Sequence, residues 1–549
     1  MNGLPKSLLC TLILYLAFTT PELAQPAPHP HLDKRGGALQ LVVNGRPFLV
    51  LGGEVFNSSS SNRAYMQPIW PKLAAMNLNT VLVPISWEQI EPKEGSFDFS
   101  LMDGLITDAR TNGLHLGLLW FGSWKNLVSS YAPAWVRSDR HRFPVAVDKS
   151  GNPLPIMSAF SKEGQAADAR AFTAVMKHLR EVDAKQQTVV LIQVENEVGL
   201  SNGDRDHSDA ADRAFAEQVP QALIDQLVQR KSGLSREMIA TWTAAGAKTS
   251  GTWTEVFGSG EATNEIFTAW NYARYISGVV AAGHADYPVP LFVNAAIGRQ
   301  DGRLASYPSG GALPLVLDVW HAGAPEIEIL SPDIYFGSFP AWCEKYTQSG
   351  NPLFIPETRG GPQGAANAFL AFGNYNAIGF SPFGIDGAAG RDLIEAYDTL
   401  KQLSPLILDA QAAGSVRAAV VDTTNSSQQL RVGNYILNVQ LRKDRRSGET
   451  AAQGFVLAIS EGENRFTVAG KNVQITFAAV GEPVTVGLDL VEEGTFADNK
   501  WIPSRRLNGD EIMLDYNFSV LAPNHQDGTG LRFGDGHPRI YRVRVFNIR

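Results

Sequence analysis

Between about residue 38 and residue 400 the chain repeats one alternation: a short β-rich apolar run, then a stretch with helical spacing. Eight such runs lie around residues 48–53, 80–85, 114–120, 188–194, 290–294, 328–335, 352–355 and 377–383. Several are apolar at consecutive positions, so both faces must be covered. Strands of that kind belong to parallel sheets whose crossover helices cover one side. Residues 70–76, 101–111 and 168–182 supply helical spacing at the right places. Eight units of this type predict a (β/α)8 barrel over residues 38–404.

The connection from the fourth run to the fifth is far longer than the others, at roughly ninety residues, and holds Trp242, Trp253, Trp270 and Tyr272. A connection of that size is expected on the active face of a barrel, shaping its pocket. After about residue 405 short alternating runs are separated by Gly, Asn and Asp. They predict an all-β, sandwich-like domain over residues 405–549.

Lys6 followed by an apolar stretch over residues 7–18 reads as a signal peptide ending near residue 25, which implies a secreted or periplasmic protein. An uncleaved anchor is the alternative. Residues 26–37 have no apolar period and are expected to be a flexible lead-in. No later apolar run approaches about twenty residues, so stable membrane insertion is not expected. Of the 2 cysteines, Cys10 would leave with the signal and Cys343 would remain as a buried, unpaired thiol. The net charge of −8, with no basic stripe, argues against a nucleic-acid partner.

Two strand ends carry the candidate chemistry. The apolar run at 188–194 stops abruptly in Glu195-Asn196-Glu197, and the run at 352–355 leads to Glu357 and then Gly360 and Gly361. Barrel enzymes place reactive groups where a strand meets its following loop. Two carboxylates facing each other across a barrel mouth suit glycoside hydrolysis, one protonating the leaving oxygen and the other attacking the anomeric carbon. Asn196 is placed to bond the sugar 2-hydroxyl. Glu54, after the first strand, is a further candidate for a sugar hydroxyl, and Trp87 and Trp120 are candidates for pocket walls. The 10 His show no tight pair with metal spacing, and neither a G-x-S-x-G elbow nor a dinucleotide motif occurs, so no metal and no cofactor is expected.

The segment Gln193-Val194-Glu195-Asn196-Glu197-Val198-Gly199 resembles the Q-x-E-N-E-x-G motif of glycoside hydrolase family 35, the β-galactosidases of clan A. Trp70–Phe99 resembles that family's early segment, through Trp70-Pro71-Lys72-Leu73, Asn79-Thr80-Val81, Glu91-Pro92 and Gly95-Ser96-Phe97-Asp98-Phe99, and Pro133-Ala134-Trp135-Val136 resembles its P-x-W-[LV] segment. The long stretch after the fourth strand is closer to family 42, a sister group. The resemblance implies that Glu197 is the acid/base, that Glu357 is the nucleophile, and that Tyr335 holds the nucleophile by a hydrogen bond. It further implies a retaining exo-β-galactosidase. With export, the expected substrates are oligosaccharides or polysaccharides, plant side chains and xyloglucan first among them. The alternatives are another clan A activity, endo-acting or exo-acting, and a non-catalytic carbohydrate-binding protein.

Overall fold

The computed structural model describes residues 28–200, 205–297, 308–387, 390–443, 448–481, 484–507, 512 and 530–548. The expected signal peptide lies outside the described residues. Eight parallel strands form the barrel: β1 (Val50–Glu54), β2 (Thr80–Ser86), β3 (His115–Lys125), β4 (Val189–Asn196), β5 (Leu291–Ala296), β6 (Ile329–Ile334), β7 and β8 (Gly379–Phe380). β7 comes in two pieces, Phe354–Ile355 and Glu357–Thr358, separated by Pro356, which has no N–H to give to a ladder. Its first half pairs with β8 and its second with β6, and β8 pairs in turn with β1 at Gly379↔Val50. The ring is therefore closed. All eight expected strands are found.

Four long helices pack around the barrel strands: α1 (Lys162–Val182), α2 (Glu261–Val280), α3 (Gly361–Asn374) and α4 (Arg391–Ala413). The Ser161 side chain caps α1 by accepting from the Gly164 N–H, and Ala167, Ala171, Phe172, Val175 and Leu179 form its buried stripe.

Two boundaries differ from expectation. The flexible lead-in expected over residues 26–37 is instead partly regular: His31–Arg35 is a strand, paired antiparallel with Ala38–Val43 across a Gly36-Gly37 turn. Only Leu32 in that strand is apolar, which hides it from a periodicity argument. Leu41 and Val43 of the hairpin pack with Val50, Leu82, Leu119, Val190, Phe292, Ile329 and Phe354, so the hairpin closes the floor of the barrel. The expected border at 404/405 falls inside α4. Pro405 sits within that helix, whose buried Leu403, Ile407, Leu408 and Ala410 keep the helical period, and the helix ends at left-handed Gly414.

Beyond Gly414 the described residues form strands, turns and loops with no helix. Among the described residues ten strands form one antiparallel sheet wrapped around a core of residues such as Leu437, Val439, Val456, Val468, Ile475 and Val543. Its first strand, Val416–Asp422, lies against the barrel. Asn374 at the end of α3 donates to Ala418 O (2.9 Å) and accepts from Ala418 N (2.8 Å), and the rings of Phe369 and Phe455 are 4.6 Å apart. Val416, Ala418, Phe455 and Leu457 belong to the same apolar core as the barrel helices.

Candidate active site

β4 ends by reversing its side-chain pattern. Glu195 and Glu197 both have positive φ, at 63° and 46°, a conformation that costs non-glycine residues energy and concentrates at functional sites. The turn sends the three residues in different directions. Glu195 points back into the wall, where its carboxylate oxygens accept from Ser123 N (3.1 Å) and Trp124 N (2.7 Å). Asn196 and Glu197 face the barrel mouth and Glu357.

Glu357, at the end of β7, is cradled by three donors. Asn196 Nδ2 (3.3 Å) and Asn294 Nδ2 (3.2 Å) reach Oε1, and the Tyr335 hydroxyl reaches Oε2 at 2.9 Å. A carboxylate is an acceptor only, so three donors converging on one carboxyl match its anionic form. One carboxyl oxygen from each of Glu197, Asp333 and Glu357 lies within 4.8 Å of the others. Burial, then the charge of Glu357, push the Glu197 carboxyl up to about 7. Glu197 thus keeps a proton beside an acceptor that is surrounded by donors.

Asp333, on β6, is buried beside both. Burial, and then the charges of Glu357 and Glu197, hold it well above the usual carboxylate range. Its Oδ2 accepts from Asn294, and its Oδ1 has no partner unless it carries the proton that it would give to Glu197. Glu54 ends β1 completely buried, with neither oxygen hydrogen-bonded, and burial together with the charge of Glu357 raises it strongly as well. The nearby cation is Lys125, at the end of β3, whose ammonium donates to Asn196 Oδ1 (2.8 Å) and Asn126 Oδ1 (2.6 Å) and lowers the proton affinity of Glu54 and Glu197. Four carboxyls against one ammonium require protons, or a cation among Glu197, Asp333 and Glu357, to hold the charge down.

The structure brings together Glu54, Asn196, Glu197, Tyr335 and Glu357. It does not bring the two tryptophans to the mouth. Trp87 is fully buried with its indole N–H on Glu91 (2.8 Å), and Trp120 is fully buried with its N–H on Asp168 (2.9 Å). Both are core residues and not pocket walls. Trp87 directly follows β2, but β3 runs on five residues past Trp120, so Trp120 does not end its strand; Trp87 packs on Trp135 and Trp120 on Phe172 of α1. The aromatics of the long β4–β5 connection do not wall the pocket either. Trp242, Trp253 and Tyr272 are 2% exposed and Trp270 8%, because they pack the helices of that connection onto one another. Lys125, Asn294 and Asp333 escape a reading of the sequence. Each lies at or near the end of a strand, the signal that flags Glu197, but none sits in a motif that separates it from an ordinary loop residue.

Behind the site lies a second acid pair. Asp168 on α1 accepts from Trp120 Nε1, Ser123 N and Ser123 Oγ (2.6 Å). Burial raises both Asp168 and Glu195, and the two are hydrogen-bonded to each other, so one proton lies between them. Gly122 is required there: a Cβ would sit 2.4 Å from Trp120 Nε1 and 2.7 Å from Glu195 Oε1.

Comparison with known proteins gives a partial likeness. Residues 393–519 match a model described as a domain of unknown function (DUF5597). A β-galactosidase of Xanthomonas manihotis is 28% identical over 200 residues, covering 31% of this chain and 32% of that protein, so the chain matches about a third of its relative's length. Among solved structures, the β-galactosidase of Bacillus circulans sp. alkalophilus has 14% identity and a TM-score of 0.46, covering 66% of this chain and 57% of its own. The β-galactosidase of Marinomonas ef1 has 14% identity and a TM-score of 0.46, over 66% and 62%. The catalytic domain of a β-amylase from Paenibacillus polymyxa has 11% identity and a TM-score of 0.43, over 61% and 91%. Over residues 56–257, which include Asn196 and Glu197, this chain is similar to the glycoside hydrolase family 42 model, described as β-galactosidase.

Proposed function

We propose that this protein is an exported, retaining exo-β-galactosidase, with Glu357 as nucleophile and Glu197 as acid/base. The observation that carries the reading is the pairing of those two carboxyls. Their nearest oxygens lie within 4.8 Å, which is on the short side of the known carboxyl spacings. Retaining enzymes hold their carboxyl groups about 5–5.5 Å apart, and inverting ones about 6.5–9.5 Å.

The chemistry follows from the donors around one acid and the raised proton affinity of the other. Glu357, as the carboxylate its three donors match, attacks the anomeric carbon and forms an ester with the sugar. Glu197, protonated below about 7, gives its proton to the departing glycosidic oxygen. Once the ester has formed, the charge on Glu357 is gone and Glu197 holds its proton less tightly. Glu197 then takes a proton from water as the water attacks the same carbon, Glu357 leaves, and both groups return to their starting states. Asn196 stands beside Glu357, where a sugar 2-hydroxyl would lie. The buried, unbonded oxygens of Glu54 face the same space and would bond a further hydroxyl.

Galactose as the sugar rests on the family 42 match and on the family 35-like motif at Glu195-Asn196-Glu197. Export rests on the apolar N-terminal stretch. Among the described residues no helix is long and apolar enough to cross a membrane. The substrate class is terminal β-galactose on plant polysaccharide side chains, with xyloglucan first. Initial rates on 4-nitrophenyl galactoside, glucoside, xyloside and arabinoside, followed by galactose release from lactose, pectic galactan fragments and galactosylated xyloglucan oligosaccharides, test the reading. Galactose release is expected, and its absence from every substrate would overturn it.

A further inference from the structure

A cleft of about 500 Å³ opens beside the site, between the barrel and the β domain. That is within the range of roughly 300–1,000 Å³ typical of small-molecule sites. Tyr335, whose hydroxyl holds Glu357, is among its lining residues, so the cleft adjoins the site through that one residue. Its barrel wall carries Phe336, 58% exposed, with the guanidinium of Arg359 stacked 5.2 Å from the ring centre. Arg359 is fixed there by its Nε donating to Tyr335 O (3.0 Å). Gln363 and Tyr375, from α3 and its end, continue the wall. The opposite wall comes from the β domain, through Asp422 and Gln428.

We infer that this cleft seats the part of a neutral oligosaccharide that lies beyond the cleaved bond, and that the β domain is retained to supply its second wall. The inference rests on the glycosidase reading. Three features point to a neutral sugar. An exposed aromatic ring with a planar guanidinium over it offers flat faces on which the apolar side of a pyranose packs. Amide side chains on both walls offer donors and acceptors to hydroxyls. Arg359 and Asp422 stand on opposite walls and offset each other, so no excess charge selects an ionic ligand. Trp242, Trp253, Trp270 and Tyr272 of the long β4–β5 connection are buried, whereas Phe336 beside Tyr335 is exposed. The domains meet rigidly enough to define it: Asn374 and Ala418 exchange two hydrogen bonds, and Gln453 Nε2 donates to Gln363 Oε1 at 2.9 Å.

The test compares kcat/KM on 4-nitrophenyl β-galactoside with that on the best oligosaccharide among lactose, galactan fragments and galactosylated xyloglucan oligosaccharides. It uses the full chain, Phe336→Ala and Gln428→Ala. The readout is the ratio of oligosaccharide to aryl activity, which a general loss of folded enzyme leaves unmoved. Both variants should lower that ratio threefold or more. A smaller change in either, or an unsubstituted enzyme that cleaves the aryl substrate but no oligosaccharide, overturns the cleft assignment. Failure of the glycosidase reading looks different: the unsubstituted protein then releases no sugar from any aryl glycoside. Gln428 lies on the β domain, on the wall opposite Phe336 and Arg359, so its effect reports on the second wall.

Discussion

At the scale of single residues, the site divides its labour between a carboxyl that keeps its proton and one wrapped in donors. Glu357→Gln should remove nearly all turnover on every substrate, because no covalent ester can form; single-turnover kinetics with an aryl galactoside would show no burst. Glu197→Ala should instead slow substrates with poor leaving groups by roughly a hundredfold or more, while activated aryl substrates keep most of their first-step rate. Equal losses in both classes would refute the assignment. With Glu197 as the proposed acid, the reaction needs it protonated, so kcat/KM should fall as pH rises through about 7. Lys125 lowers the proton affinity of Glu197. Lys125→Met should therefore move that falling limb to higher pH, and a limb that stays in place or moves down would show that the lysine does not act on Glu197.

At the scale of elements, the end of β3 is held by the carboxyl pair behind the site. Asp168 on α1 receives the Trp120 indole and both hydrogen-bonding groups of Ser123, and Glu195 receives the Ser123 and Trp124 amides. That grip sets where Lys125, one residue on, presents its ammonium. Asp168→Ala leaves buried donors without partners and an acid without its neighbour. The expected loss is about 3 kcal/mol or more of stability, read by chemical denaturation. Why an acid appears at residue 168 of an otherwise apolar-and-surface helical pattern is thus answered by a strand end far from it in the chain.

At the scale of the whole molecule, barrel and β domain share one apolar core. Phe369 on α3 is buried against Phe455 of the β domain. Phe369→Ala should cost about 3–5 kcal/mol and lower the melting temperature of the chain; a change within error would mean that the domains fold independently. The buried acids also give the stability a pH dependence. Asp333, Glu54 and Glu197 hold their protons more tightly in the folded chain than they would unfolded. Their contribution is therefore present below the ordinary carboxylate pKa and is lost as pH rises through the folded values. For Glu197 the window runs from about 4.5 to about 7. Melting temperatures of the unsubstituted chain and of Asp333→Asn, measured from pH 5 to pH 8, should show a smaller decline in the variant.

The sequence by itself determined the order and number of the barrel strands, because strands apolar on both faces leave few architectures open. It also marked Glu197 and Glu357, since a carboxylate directly after such a strand has no reason in packing alone. Only the tertiary structure decided which way each strand-end side chain turns. Positive φ at Glu195 and Glu197 sends one acid into the wall and the other into the mouth, a difference that the identical residue type cannot reveal. The same holds for the aromatics. Trp87, Trp120 and Trp242 have the composition of a sugar platform, but burial against neighbouring helices makes them core, while Phe336 stands in solvent beside Tyr335. Asp333, Lys125 and Asn294 come from three strands widely separated in the chain. Asn294 and Asp333 meet Glu357 directly and Lys125 reaches it through Asn196 only because the closed ring brings strands three to seven to one mouth, and through-space charge and hydrogen bonding leave no local signature in the sequence that makes them.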